Sequence, residues 1–317
     1  MDLSTLIKKQ RPNIKDNSLK SYLISLNKIH ENYNKSMDKE NTIIKNLNFL
    51  KDRKNILTII DNENTLTTKK NRLTAILVAL GLKEDDDDFL NVKKKYADDL
   101  FKLTTIYNNE IKGKKTEKEE KNWATMKELL KIPKLYKKEI NDLDLKNREK
   151  DLSVKQKLLL QYYILSLLYT KLEPIRLDYN VDIVDKEEDI EPDKNYLVNI
   201  AKNNKYFVIQ DHKTDKTDGM KVIVLDKEIN NAINLWLEYN KTGFLFINNR
   251  NTRQSSNGLG KMINNAFKPT KKNITLNLIR KIYISENVDK KAVENAKNIA
   301  KSMGHSLETQ QLVYHKN

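Results

Sequence analysis

The sequence predicts a mainly α-helical protein with one small antiparallel β-sheet, divided into two domains. Apolar residues recur at three- and four-residue spacing along most of the chain, and only the stretch around residues 206–225 changes to the short β-branched and aromatic runs of strands. Gly and Pro number only 7 and 5, so the helical patterns are rarely interrupted. A length of 317 residues suits two domains of ordinary size.

The first helix runs from Asn17 or Ser18, a capping residue, through Leu19, Tyr22, Leu23, Leu26 and Ile29. A second opens at Thr65, carries Leu66, Leu73, Ile76, Leu77 and Leu80, and stops at Gly81. Its other side holds Lys69, Lys70 and Arg72, which read either as a solvated face or as a phosphate-contacting one. The acidic run Glu84 to Asp88 has no glycine-punctuated loop that would make it a metal cage, so a solvated turn is expected. A further helix spans Phe89 to Ile111. The stretch 112–121 is then almost wholly charged around Gly113, as an exposed linker would be, which separates a domain at 1–111 from one at 122–317.

The second domain opens with Trp123 to Lys131. The segment Ser153 to Lys171 follows, apolar on every side and ended by Pro174. Its apolar core, Leu158 to Leu172, is shorter than the roughly 20 residues of a bilayer span, so it reads as a buried helix and no membrane partner is expected. Tyr206 to Gln210 and Met220 to Leu225 pair as a hairpin around the polar turn Asp211 to Gly219. Helical patterns return at Glu228 to Tyr239, Gly258 to Phe267, Leu276 to Glu286 and Ala292 to Met303.

Composition narrows the function. Lys and Arg total 59 against 44 Asp and Glu, a net +15 carried by both halves, which points to a polyanionic partner. The absence of cysteine removes disulfides, thiolate zinc sites, iron–sulfur clusters and cysteine nucleophiles. No phosphate-binding glycine loop, dinucleotide fingerprint or nucleophile elbow occurs, and His30, His212, His305 and His315 lack metal-ligand spacing. The start, Met1 to Gln10, has no apolar signal core, so an intracellular protein is expected.

An ordered series of reactive residues remains: Arg176 after the buried helix, Lys213 in the hairpin turn, Arg280 on a late helix, His305 in a Gly-His-Ser turn, and Tyr314. Taken singly they read as surface or ion-paired arginines, a solvated cation, a helix-terminal cap and a packing tyrosine. Taken together they suit phosphoryl transfer. Two arginines offer permanent bidentate donors for charge building on a phosphodiester, and a phenol with a pKa of about 10 needs a nearby base before it can attack.

In order and spacing this series resembles the tyrosine recombinases, the phage-type integrase family whose catalytic core is shared with type IB topoisomerases. Leu172-Glu173-Pro174-Ile175-Arg176-Leu177-Asp178-Tyr179 matches the place of the family's first arginine, and His212-Lys213-Thr214 that of its hairpin lysine. Asn277-Leu278-Ile279-Arg280 matches its His/Lys-x-x-Arg motif with Asn at the first position. Gly304-His305-Ser306, with Tyr314 about nine positions on, matches the terminal block, the most specific of the four. Two departures stand out. Tyr179 occupies the place of the family's acid, with Asp178 beside it, and Asn277 can donate a hydrogen bond to phosphate but cannot carry a proton.

The resemblance implies an N-terminal helical core-binding domain that clasps double-stranded DNA, with Ser18 to Ile29 similar to its first helix, and a C-terminal α+β catalytic domain. It implies site-specific recombination or integration for a virus or mobile element, by a homotetramer on DNA. Tyr314 would be the nucleophile of a covalent 3′-phosphotyrosine intermediate, Arg176 and Arg280 the clamp, His305 the helper of Tyr314, and Lys213 the general acid, with Lys216 its rival. The intermediate keeps the phosphodiester's energy, so neither metal, ATP nor any other cofactor is implied. A type IB topoisomerase, a non-catalytic DNA-binding protein on the same fold, and a basic helical RNA-binding protein are the competing readings.

Overall fold

The structure, a computed structural model, describes residues 2–38, 43–111, 113–143, 152–213, 215–304 and 306, with the side chains of 215 and 216 left aside. The chain forms two compact units, Met1–Thr116 and Glu117–Asn317.

The first unit is helical: α1 (Leu3–Gln10), α2 (Asp16–Ser36), α3 (Arg53–Asp61), α4 (Leu66–Leu80) and α5 (Asp87–Ile111). The periodicity of α2 buries Leu19, Leu26, Ile29 and Tyr33. It starts at Asp16, ahead of the capping residues the sequence suggested, and Lys15 before it gives no side-chain cap. Helix α4 begins as expected, with Thr65 Oγ1 accepting from the Thr68 amide at 3.1 Å. It ends at Gly81, whose carbonyl accepts from Gln10 Nε2. The acidic turn is exposed and partly structural, because Asp86 Oδ1 accepts from the amides of Asp88 and Phe89 and so caps α5. Tyr96 is buried on α5 and donates to the Leu50 carbonyl at 3.0 Å. Arg53 grips Asp99 through two hydrogen bonds of 2.8 and 2.6 Å, tying α3 to α5.

The second unit contains α6 (Glu117–Asn122), α7 (Met126–Leu129), α8 (Lys131–Asp142), α9 (Val154–Lys171), β1 (Asp182–Val184), β2 (Tyr196–Ala201), β3 (Asn204–Ile209), α10 (Asp215–Asp218), β4 (Lys221–Val224), α11 (Lys227–Tyr239), α12 (Ser256–Ala266), α13 (Leu276–Asn287) and α14 (Lys290–Ser302). The linker expected over 112–121 is therefore shorter, since its second half is the helix α6. That helix is charged because it lies on the surface, and it is fastened to α13 through Glu119 and Lys281.

Helix α9 forms the centre of this unit. Ser153 and Gln156 make a capping box at its start, and Leu160, Ile164, Leu165, Leu167 and Leu168 are removed from water on all sides. Full burial of each such side chain stabilises the fold by about 1.5–3 kcal/mol. Among the described residues no helix is long and apolar enough to cross a membrane. Gln161, like Ser166 and Thr170, is a polar residue buried inside α9. Its Oε1 accepts from the Ile247 amide at 2.8 Å, so the helix anchors the loop that precedes α12.

The sheet has four strands in the order β1-β2-β3-β4. The expected hairpin is present as β3 and β4, antiparallel with Phe207 opposite Ile223. The sheet is mixed rather than wholly antiparallel, because β1 runs parallel to β2 with Ile183 opposite Leu197. The three residues of β1 are too few to show a period of two, and β2 turns directly into β3 through Lys202 and Asn203. Contacts between distant parts of the chain close the unit. Tyr136 donates to the Ala266 carbonyl at 2.7 Å, Lys272 Nζ to the Trp123 carbonyl at 2.6 Å, and the Met126 amide to Glu286 Oε1 at 3.1 Å.

Candidate active site

Arg176 lies where the chain bends away from α9. Pro174 cannot continue a helix, and a short 3₁₀ turn, Leu177–Tyr179, leads on into β1. Two tyrosines hold the bend. Tyr169 on α9 donates to the Arg176 carbonyl at 2.7 Å, and Tyr179 donates to the Glu173 carbonyl at 3.2 Å. Tyr179 is fully buried, edge-on to Tyr169 at 5.6 Å and against Phe207 at 5.0 Å. The residue at the family's acid position is thus a packing residue, while the Arg176 side chain is exposed.

Arg280 enters from α13. Leu278, Ile279 and Ile282 fix that helix in the core, Thr275 caps its start by accepting from the Leu278 amide, and Arg280 is left half-buried at its edge. Burial drives the Tyr169 phenol well above its ordinary pKa, and the nearby positive charge of Arg280 opposes that rise. One tyrosine hydroxyl therefore fixes the backbone of the first arginine and lies in the field of the second. Asn277, one helical turn before Arg280, is exposed.

Lys213 stands exposed at the beginning of the loop between β3 and β4. Asn195 organises the base of this loop. Its Oδ1 accepts from the amides of Gln210 and Asp211, both at 2.8 Å, and its Nδ2 donates to the carbonyls of Asp211 at 2.9 Å and Asp178 at 3.3 Å. His212 is buried and joins the far side of the loop, with Nε2 2.8 Å from the Gly219 carbonyl. Asp178 lies between the two segments. Burial raises its carboxyl above the usual range, with His212 and then Arg176 opposing.

The Arg176 turn and the Lys213 loop thus share Asn195 as a support, while Arg280 is placed by the buried face of α13. His305 and Tyr314 lie outside the described residues, as does the Lys216 side chain, although Lys216 itself belongs to α10. In the first unit, Lys69 is 3.7 Å from Asp61, Arg72 pairs with Glu63 at 2.9 Å, and Lys70 rests on the Tyr107 ring at 4.2 Å. A DNA phosphate would have to compete with those partners. Among the described residues no group of three or more His, Asp or Glu is arranged to hold a metal ion.

The supports were not read from the sequence. Tyr169 is hidden within an apolar run, and Asn195 occupies a polar turn where nothing distinguishes it from its neighbours. His212 did have a signal, its place beside Lys213, but it counted only as part of the motif. A search against protein-family models finds no match to this chain, and a comparison with curated proteins finds none either.

Proposed function

We propose that this chain breaks and rejoins DNA strands as a tyrosine recombinase, cutting through a covalent 3′-phosphotyrosine. The observation that carries this reading is the bend after α9, where Tyr169 fixes the Arg176 backbone at 2.7 Å in a series whose order resembles the recombinase pattern. The Lys213 loop is held to the Arg176 segment by Asn195.

In this reaction the Tyr314 oxygen attacks phosphorus in line after giving its proton to His305. A phosphorus–oxygen bond forms to the tyrosine as the bond to the 5′-oxygen breaks, and that oxygen takes a proton from Lys213. Arg176 and Arg280 neutralise the charge that grows on the non-bridging oxygens, with Asn277 adding a neutral hydrogen bond. Rejoining is the same step reversed with a new 5′-hydroxyl, so recombination needs two duplexes brought together, the role of a tetramer. The net +15 supplies affinity for duplex DNA through phosphate contacts and counterion release.

The test uses the full chain, wild type and Tyr314→Phe, on supercoiled plasmid with EDTA and no ATP, stopped with denaturant to trap adducts. Covalent adducts from wild type and none from Tyr314→Phe are expected, with DNA binding equal in both. No adduct from wild type on any DNA would overturn the proposal and leave a DNA-binding protein. Adducts accompanied by efficient processive relaxation would reassign the chain to the type IB topoisomerases.

A further inference from the structure

We propose that His212 is a positioning residue for Lys213, clasping the ends of the loop that carries it while Asn195 holds that loop to the Arg176 segment. The inference rests on the proposed reaction, to which it adds a residue.

The loop needs such a device. It joins two antiparallel strands whose last paired residues are Ile209 and Lys221, and the connection, which contains the single helical turn α10, is longer than the tight turns that hold hairpin tips by themselves. Lys213 has four rotatable side-chain bonds and is exposed, so the position of its ammonium depends on the backbone beneath it. The near side of that backbone is fixed by Asn195 through both the amide and the carbonyl of Asp211. The far side turns at Gly219, whose φ of +67° favours glycine. His212 crosses from one side to the other. A carbonyl only accepts, so the 2.8 Å contact requires a proton on Nε2, which donates it to Gly219. Lys213 is the first residue inside the ring that this bond closes.

The imidazole is itself anchored. It is buried, with only 6% of its surface exposed. Asp178 belongs to the Arg176 turn, and its carbonyl accepts from Asn195, which also holds Asp211. Asn195 therefore ties the Arg176 turn to the near side of the loop, and His212 closes the loop across to its far side. One acts through backbone groups and the other through the imidazole. Together they fix the distance between a phosphate held by Arg176 and the amine that must protonate the leaving oxygen, and in such sites a misplacement of about 1 Å costs on the order of 100-fold in rate.

The test has two arms, both on the full chain. In the first, trypsin is added under native conditions and cuts after Lys213 and Lys216 are followed by mass spectrometry. His212→Ala should speed those cuts by about tenfold, the effect of one lost buried hydrogen bond on loop opening, with cuts elsewhere unchanged. His212→Gln, whose side-chain amide can still donate to Gly219, should restore most of the protection. An unchanged cutting rate in His212→Ala would overturn the clasp.

In the second arm, adduct formation is compared in His212→Ala, Lys213→Ala and the double variant. His212→Ala should slow cleavage by about 100-fold, and in the Lys213→Ala background it should cost almost nothing more, because the lysine it positions is already gone. Fully additive losses would make His212 a structural residue and overturn the positioning role. If wild type forms no adduct, the proposed reaction and the role of Lys213 fall together, while the proteolysis arm still decides whether His212 closes the loop.

Discussion

The cations singled out in the two units are held in opposite ways. In the first, Arg53 is held by Asp99, Arg72 by Glu63 and Lys69 by Asp61, and Lys70 lies over Tyr107. In the second, Arg253 pairs with Asp182 and Lys171 with Glu228, yet among the described residues no carboxylate forms an ion pair with Arg176, Lys213 or Arg280. Their places are set through the backbone instead, by Tyr169, Asn195 and buried neighbours on α13. A cation fixed by a carboxylate has its charge already answered. One fixed by its main chain keeps that charge for an incoming anion.

The strongest attack on this contrast is to remove an unanswered charge. Arg176→Ala or Arg280→Ala should lower adduct formation by about 100- to 1,000-fold, the usual cost of losing one transition-state donor. The triple variant Lys69→Ala, Lys70→Ala, Arg72→Ala should cleave within about threefold of wild type, with a barely altered salt dependence of DNA binding, because its charges are committed inside the unit. Titrating both variants with duplex DNA over a range of salt checks the pair. A large loss of affinity in the triple variant would break the comparison.

Lys213→Ala should slow cleavage by roughly 100-fold or more, the scale of a lost general acid. A substrate with a 5′-thiol leaving group should recover most of that rate, because a thiolate departs without a proton. Failure of the rescue would point to Lys216 instead.

Two tyrosine hydroxyls sharpen the contrast at smaller scale. Tyr169→Phe leaves the Arg176 carbonyl without its donor, and Tyr96→Phe does the same to Leu50 in the first unit. Each should cost about 1–3 kcal/mol of stability in its own unit by denaturant titration. Only Tyr169→Phe should also slow cleavage, by about tenfold, since a shifted bend moves Arg176.

The smallest effect belongs to Asp178. Its carboxyl is raised by burial, so the stability it contributes is complete below its unfolded pKa of about 3.9 and is lost as pH rises through the higher folded value. Asp178→Asn, which cannot ionise, should therefore melt about 2 °C higher than wild type at pH 7, with the gap closing as pH falls toward 4.

The sequence disclosed most where periodicity and caps agree. Thr65 and Gly81 bracket α4, and Ser153 with its apolar run marks α9, because each boundary is chemical as well as periodic. The hairpin β3–β4 was legible from two β-branched runs. The parallel strand β1 was not, since its pairing with β2 is a tertiary fact that three residues cannot announce. At the site, the residues that would touch DNA are visible as a spaced series, with His212 beside them in the motif, while Tyr169 and Asn195 carry no such signal. Tyr169, Asn195 and His212 act through backbone carbonyls, and a carbonyl acceptor has no letter in the sequence.

The long-range bonds that close the second unit also govern when it can exist. The segment 117–142 is closed by hydrogen bonds to residues 266–286, whereas the residues of the first unit all precede Glu117. At about 5–20 residues per second of synthesis, the second unit waits roughly 10–30 s after the first for Arg280 to be made. Arg176 and Lys213 therefore emerge from the ribosome before Arg280 is made, and a nascent chain truncated within that interval would lack the hydrogen bonds that close the second unit.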